Sequence, residues 1–341
     1  MKYIRNFVIS FLIICIMAMT LPAQTAKASG SGGAYSDIQG TWFESWADTY
    51  GYTNIFGSED GLFHPYKTIT RMGFARLLHK AMNININYFV ATDISKYFDD
   101  VTNNDLGASD LYDLVTCGII DVSNEFHPNE TLNRDEMIHW IMNAFYYSNG
   151  DDYAIPDKDC VTFADDSKID TQYKNDVYDA VIIDLVKGRE NNTICPDEAT
   201  NRAEAVTLVG RLSELRTTLS SEAVVRVTAR NENDTLAVTV SLVNNTGNTV
   251  TVYHSYGHMF DYAALDKDGN ELYRWSDGKA FAMMAAFTQI APGEESVFSD
   301  KIDSKTYASI KDKIVSVKAY IVGTSPDFII DTDGYFVNSY H

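Results

Sequence analysis

The chain has 341 residues, with 27 basic against 47 acidic side chains and a formal net charge of −20. Such a surface repels nucleic acid and anionic lipid, and no basic run offsets it locally. The length is enough for two or more packed domains.

Residues 1–28 read as a secretory signal peptide. Lys2 and Arg5 open it, Phe7 to Leu21 is a mostly apolar run, and Ala26-Lys27-Ala28 is a small-residue cleavage site. The apolar run is shorter than the ~20 residues a membrane-spanning helix needs. Without Lys2, Arg5 and Lys27 the remainder carries 24 basic against 47 acidic residues, a charge of −23. Cys15 leaves with the signal. The remaining Cys117, Cys160 and Cys195 are an odd number and form no metal-spaced cluster, which argues against a full disulfide framework and against zinc; a Cys160–Cys195 bridge stays open.

After a Gly/Ser leader at 29–34, one grammar is written three times, over 35–92, 93–158 and 159–216. Each copy begins with an aromatic residue two positions before an aspartate: Tyr35/Asp37, Phe98/Asp100, Phe163/Asp165. A first helical stretch follows, with Trp42 and Trp46 in copy one, Leu111 to Val115 in copy two and Val177 to Val181 in copy three. Then come Phe63-His64-Pro65, Phe126-His127-Pro128 and Ile194-Cys195-Pro196, with Arg71, Arg134 and Arg202 each six residues after the proline. Each arginine opens a second helix. Thr70, Asn133 and Asn201 are N-caps, and Glu136 and Glu204 complete capping boxes in copies two and three, while Gly73 leaves copy one the weaker cap. Phe74, Leu77, Leu78, Ala81 and Met82 share one face, as do Ile138, Ile141, Met142 and Phe145, and Ala205, Leu208, Val209 and Leu212. Units of this kind bury their apolar faces against one another, so the three predict one scaffold. A cation in a first helical turn gains nothing from the helix dipole, so three such arginines point to a task. Two tasks stand open: binding an anionic ligand, or pairing with a carboxylate of the neighbouring unit.

The segments Thr68-Ile69-Thr70-Arg71, Leu132-Asn133-Arg134-Asp135-Glu136 and Thr200-Asn201-Arg202-Ala203-Glu204, with the upstream aromatic-x-Asp and Phe-x-Pro elements, resemble the S-layer homology family. The resemblance covers about residues 35–215. It implies a pseudo-threefold helical bundle that binds secondary cell-wall polysaccharide, often pyruvylated, in grooves between repeats. It also implies a polysaccharide-binding role for Arg71, Arg134 and Arg202, for Asp37, Asp100 and Asp165, and for the flat faces of Trp42 and Trp46. A guanidinium suits a pyruvyl carboxylate because it can offer two parallel hydrogen bonds. The copies differ: Met72-Gly73 in the first, Asp121 and a shorter loop in the second, Asn191-Asn192 in the third. Unequal grooves are therefore expected, led by Arg134 and Arg202, with Arg71 mainly holding the bundle.

A linker at 217–222 precedes a region of period two. Leu236, Val238, Val240 and Leu242 alternate, as do Val250 and Val252, and Val315, Val317, Ala319 and Ile321; turn signals stand at 244–248, 266–270 and 291–294. Several short strands between turns predict a β-sandwich over 223–325 with a tail at 326–341. The full expectation is a multidomain α plus β chain, helical bundle first and all-β sandwich second. Val240 to Thr246, Phe260-Asp261-Tyr262, Asp268-Gly269, Tyr273 to Phe281 and Ala291-Pro292-Gly293-Glu294 resemble the BsuPI-type intracellular proteinase inhibitor family, which is immunoglobulin-like. No inhibitory residue can be carried over.

Asp266-x-Asp268-Gly269-Asn270 lacks the glycine and glutamate of an EF-hand loop and reads as a hairpin tip. No P-loop, Gly-x-Ser-x-Gly or His-Glu-x-x-His sequence occurs. The expectation is a non-catalytic surface protein with no cofactor and no metal, exported to the bacterial cell wall and partnered by wall polysaccharide. Rivals are a surface-delivered proteinase inhibitor, partnered by a proteinase, and an S-layer lattice component.

Overall fold

The computed structural model describes residues 35–57, 60–158 and 160–337. The signal, the leader and residues 338–341 lie outside the described residues. Among the described residues, eight α-helices and ten strands make an α+β architecture: α1 (Glu44–Tyr50), α2 (Thr53–Phe56), α3 (Arg71–Met82), α4 (Ala108–Thr116), α5 (Arg134–Asn149), α6 (Lys174–Ile182), α7 (Arg202–Leu219) and α8 (Ser304–Ile310), with strands β1–β10 introduced below.

The long helices α3, α5 and α7 begin at the three arginines, and each packs on a short helix of the following copy: α3 on α4, α5 on α6, α7 on α1. Their first backbone N–H groups, which no helix can satisfy from within, are taken by the proline loop of that following copy. Met72 N donates to the Pro128 carbonyl (3.1 Å), Arg134 N to that of Pro196 (3.0 Å), and Ala203 N to that of Pro65 (3.0 Å). Single β-bridges Thr70–Thr131, Asn133–Ala199 and Thr68–Asn201 lie beside these joints, so the three close into a ring. The expected apolar faces are buried in one continuous core, apart from the half-buried Ala81. Burial of each large side chain contributes about 1.5–3 kcal/mol.

The caps differ from expectation. Asn201 and Glu204 form the full reciprocal box, with bonds of 3.0 and 3.1 Å. Asn133 makes no side-chain cap: Glu136 N donates instead to Asp135 Oδ1 (2.8 Å), and the Glu136 carboxylate pairs with Arg71. Copy one, expected to be weaker, has Thr70 accepting from Gly73 N at 3.1 Å.

The second half is sandwich-like. β2 (Ala223–Glu232), β3 (Thr235–Asn244) and β8 (Glu295–Ile302) form one sheet, and β4 (Val250–His254) pairs with β7 (Ala286–Ile290). A five-stranded sheet runs β1 (Ile155–Pro156), β10 (Tyr335–Phe336), β9 (Ser316–Ile321), β5 (Phe260–Leu265), β6 (Glu271–Arg274). All its pairings are antiparallel. The β2–β3 hairpin turns on Asn233 and Asp234, both at positive φ (51° and 60°), as a two-residue turn of the primed type requires. Leu236, Val238, Val240 and Leu242 all face a second core. Asp303 caps α8, a helix with no counterpart in the sequence reading.

Two expectations are corrected where the halves meet. Residues 326–341 were expected as a tail, yet Ile330 and Tyr335 are buried and β10 lies inside a sheet. The segment after α5, expected to stay with the helical copies, joins the sandwich. Ile155 and Pro156 pair with Phe336 and Tyr335, Ala154 enters the second core, and Val227 N donates to the Asp152 carbonyl (2.9 Å). Ion pairs Arg226–Asp152 and Lys318–Asp157 flank this joint. Two-residue strands leave no periodic signal, and their partners are far off in sequence.

Candidate functional site: a basic cleft beside one of three arginines

The three early aspartates are loop clamps. Asp37 accepts from Phe63 N and His64 N (2.7 and 2.9 Å), Asp100 from Phe126 N and His127 N (both 2.7 Å), and Asp165 from Ile194 N and Cys195 N (2.9 and 2.8 Å). Both oxygens of each carboxylate are engaged this way. The geometry gives these side chains the part of shaping the loops. For Asp165, burial pushes the pKa up, but the two amide bonds outweigh it and hold the carboxyl below its ordinary value. The clamped residues His64, His127 and Cys195 share a left-handed backbone (φ 54°, 57° and 55°). A common turn, and no catalytic pairing, explains the two histidines. Cys117, Cys160 and Cys195 are all free thiols, so the Cys160–Cys195 option is not realised.

The arginines divide two against one. Arg71 Nε donates to the Phe126 carbonyl (2.6 Å), its guanidinium pairs with Glu136, and its charge sits 5.2 and 5.1 Å from the ring centres of Phe126 and Trp140. Arg202 likewise donates to the Phe63 carbonyl (2.7 Å) and lies 5.4 Å from the centre of Phe56. Both tie one copy to the next. Arg134 departs from this pattern. It reaches the Lys187 carbonyl at 3.2 Å and stands 3.6 Å from Glu204, and its buried Nε has no hydrogen-bond partner. Burial lowers its pKa, with Glu204 opposing.

Arg134 borders a cavity of about 180 Å³ whose charged rim also includes Lys187, Arg189, Arg211 and Glu204. Met137, Ile138 and Leu208 supply apolar wall, and Trp42 stands at the mouth, 64% exposed. Trp42 precedes α1 and packs on Phe43 with the two ring planes at 87°. Trp46 is packing: a Cβ at Gly210 would lie 2.3 Å from its ring. Arg189 pairs with Glu198 and Glu204, and Arg211 leans to the Leu185 carbonyl at 3.4 Å. Four cations against one lining carboxylate make this a place for an acidic ligand with a flat apolar face. Sequence reading found Arg134 and Trp42. It missed Lys187, Arg189 and Arg211, although Lys187-Gly188-Arg189 in so acidic a chain was a usable signal.

The equivalent helix positions elsewhere carry other chemistry. Five residues after each arginine stand Arg76, His139 and Thr207; nine after stand Lys80, Asn143 and Arg211. Beside Arg71, His139 is held by Asp176 (2.6 Å) and Asp121 (2.9 Å) and stacks on Tyr173 at 4.8 Å. Burial pulls its pKa down, but the two carboxylates outweigh that and raise it to about 9. Beside Arg202, Arg76 faces Asp110 (3.7 Å), and His79 faces Asp110 (3.1 Å) and Asp113 (2.8 Å). Among the described residues no cluster of His, Cys, Asp or Glu has metal-holding geometry, and no helix is long and apolar enough to cross a membrane.

Residues 223–323 match the family described as intracellular proteinase inhibitor, BsuPI. The chain is 28% identical over 195 residues to an exoglucanase, XynX, of Acetivibrio thermocellus, covering 56% of this chain and 17% of that protein. It is 28% identical over 182 residues to an amylopullulanase of Thermoanaerobacterium thermosulfurigenes, covering 53% and 9%. An endoglucanase of Bacillus sp. (strain KSM-635) is 22% identical over 222 residues, covering 62% and 22%. Among solved structures, red sea bream transglutaminase aligns at 10% identity over 38% of this chain and 20% of that one, with a TM-score of 0.20, too low to support a fold argument. The chain thus carries a BsuPI-type domain and spans less than a quarter of the length of these curated relatives.

Proposed function

We propose that residues 35–216 form an S-layer-homology-type bundle of three repeats, and that this bundle holds the protein non-covalently on an acidic cell-wall polysaccharide while the BsuPI-type domain is displayed as a binding module. The observation that carries the reading is the cleft in which Arg134, Lys187, Arg189 and Arg211 surround apolar wall beside an exposed Trp42, in a chain of charge −20. A carboxylate on the glycan would meet the guanidinium groups that rim the cleft, and a sugar ring would lie on the indole. The relatives support it indirectly. They are named for enzymes acting on polysaccharides and match only over a small share of their length, as a shared accessory module does. On this reading the protein performs no chemistry and needs no cofactor or metal.

The test is retention on purified wall polymer. Hydrogen bonds to a charged group contribute about 1.5–3 kcal/mol each, so Arg134→Gln with Arg211→Gln should weaken binding by roughly a hundredfold or more. Retention of the double variant at wild-type affinity would remove the cleft from consideration.

The BsuPI match favours a second reading, delivery of a proteinase inhibitor to the cell surface. Incubating the full chain with a subtilisin-type proteinase decides it. Stoichiometric loss of proteinase activity supports inhibition; undiminished activity leaves the domain as a binding module.

A further inference from the structure

A second cavity, of about 520 Å³, opens where the two halves meet. Its walls come from the ends of α5 and α7, from strand β2 and from the turn after β3; they include Arg216, Arg226, Asn149, Thr217, Ser220 and Asn245. No acidic side chain lines it, in a chain where acids outnumber bases 47 to 27.

Arg216 is half-buried at the last turn of α7. Its guanidinium approaches the Met82 sulfur at 3.4 Å, and among the described residues no carboxylate stands within ion-pair distance of it. Burial lowers its pKa, so the charge is held there at a cost. Arg226 reaches the cavity from the sandwich and pairs with Asp152, which does not itself line the cavity.

Several other polar groups of the wall already donate within the protein. The Thr217 hydroxyl donates to the Ser213 carbonyl (2.9 Å) and Ser220 to that of Thr217 (2.8 Å). Asn245 Nδ2 donates to the Leu219 carbonyl (3.0 Å), and Asn149 Nδ2 to that of Phe145 (2.9 Å). The positive charge that the wall offers a guest is guanidinium N–H, a match for a small acceptor-rich oxyanion.

We propose that this cavity binds a small oxyanion, a carboxylate or a phosphate group, between Arg216 of the helical half and Arg226 of the sandwich. The site is separate from the Arg134 cleft, and occupancy would fasten the two halves to each other. Because the anion binds only when both walls are in place, it stabilises the folded chain by mass action.

The experiment is calorimetric titration and thermal unfolding of the full chain carrying Arg134→Gln and Arg211→Gln, which silence the other basic cleft, at fixed ionic strength, with inorganic phosphate in one arm and glucuronate in the other. The expected result is a saturable one-site isotherm and a rise in Tm with at least one of them; the responding arm names the anion. Adding Arg216→Gln should abolish both signals, and adding Arg216→Lys should weaken them. Absence of binding in both arms would overturn the proposal. So would a Tm rise that persists with Arg216→Gln.

Discussion

The clefts beside Arg134 and Arg71 occupy equivalent places on the ring and hold opposite chemistry. At Arg134, Lys187, Arg189 and Arg211 gather around a single lining carboxylate, and one guanidinium nitrogen is left without a partner. At Arg71, Glu136 neutralises the arginine, and Asp121 and Asp176 surround His139. The joints do not differ: aspartate to loop amides, helix N-terminus to proline carbonyl, repeated three times. The joints use backbone groups and three loop aspartates, none of them at the positions five and nine residues into each long helix, so those positions are free to diverge.

The difference can be broken or sharpened by substitution. The Arg134→Gln, Arg211→Gln pair should lose wall binding by roughly a hundredfold with little change in Tm. An equal loss from removing Arg71 alone, without unfolding, would mean the two clefts are alike after all. On stability, Asp100→Ala removes two amide bonds to a carboxylate and should cost about 3 kcal/mol, seen as a lower denaturant midpoint. Gly210→Ala would drive a Cβ into the Trp46 ring and should cost about 1–3 kcal/mol, while leaving the basic residues in place.

The His139 cleft has a signature in pH. Its folded pKa, near 9, lies above the ordinary value of 6.5. The contribution is therefore complete below about pH 6.5 and is lost as pH rises through 9, at most about 3 kcal/mol. Asp179, raised to about 7 first by burial and then by Asp176, also makes stability fall with pH, but below 7. Denaturation at pH 7 and pH 9, below the range where the buried tyrosines begin to titrate in the unfolded chain, should show a larger loss in the wild type than in His139→Asn; an equal loss in both would remove His139 as its source. The smallest effect belongs to Arg189→Gln. Its pair with the exposed Glu198 should contribute less than about 1 kcal/mol, and the change should appear mainly as weaker salt dependence of wall binding.

Much of the ring was legible because it is local. The spacing from Pro65, Pro128 and Pro196 to the arginines, and the apolar stripes behind them, place the long helices correctly. The strands around Leu236 to Leu242 were legible for the same reason, a period of two over many residues. The division among the arginines was not. Whether a guanidinium meets Glu136 or an open cavity depends on the neighbouring copy, and the motif around it reads alike in every case. The aspartates misled because a carboxylate that binds amides and one that binds sugar have the same sequence context. Glu136 misled in the other direction, since a capping-box pattern does not exclude a stronger partner nearby.

The pairing of β1 with β10 bears on the order in which the chain is completed. Ile155 leaves the ribosome some 180 residues ahead of Phe336, its partner. Until β10 emerges, Ile155 and Pro156 have no strand to join, and closing so long a loop is slow. The helical ring can assemble earlier, since its joints need nothing beyond α7. A protein clipped between Ile321 and Tyr335 should then keep its ring and its basic cleft while losing the strand that ties the sandwich down.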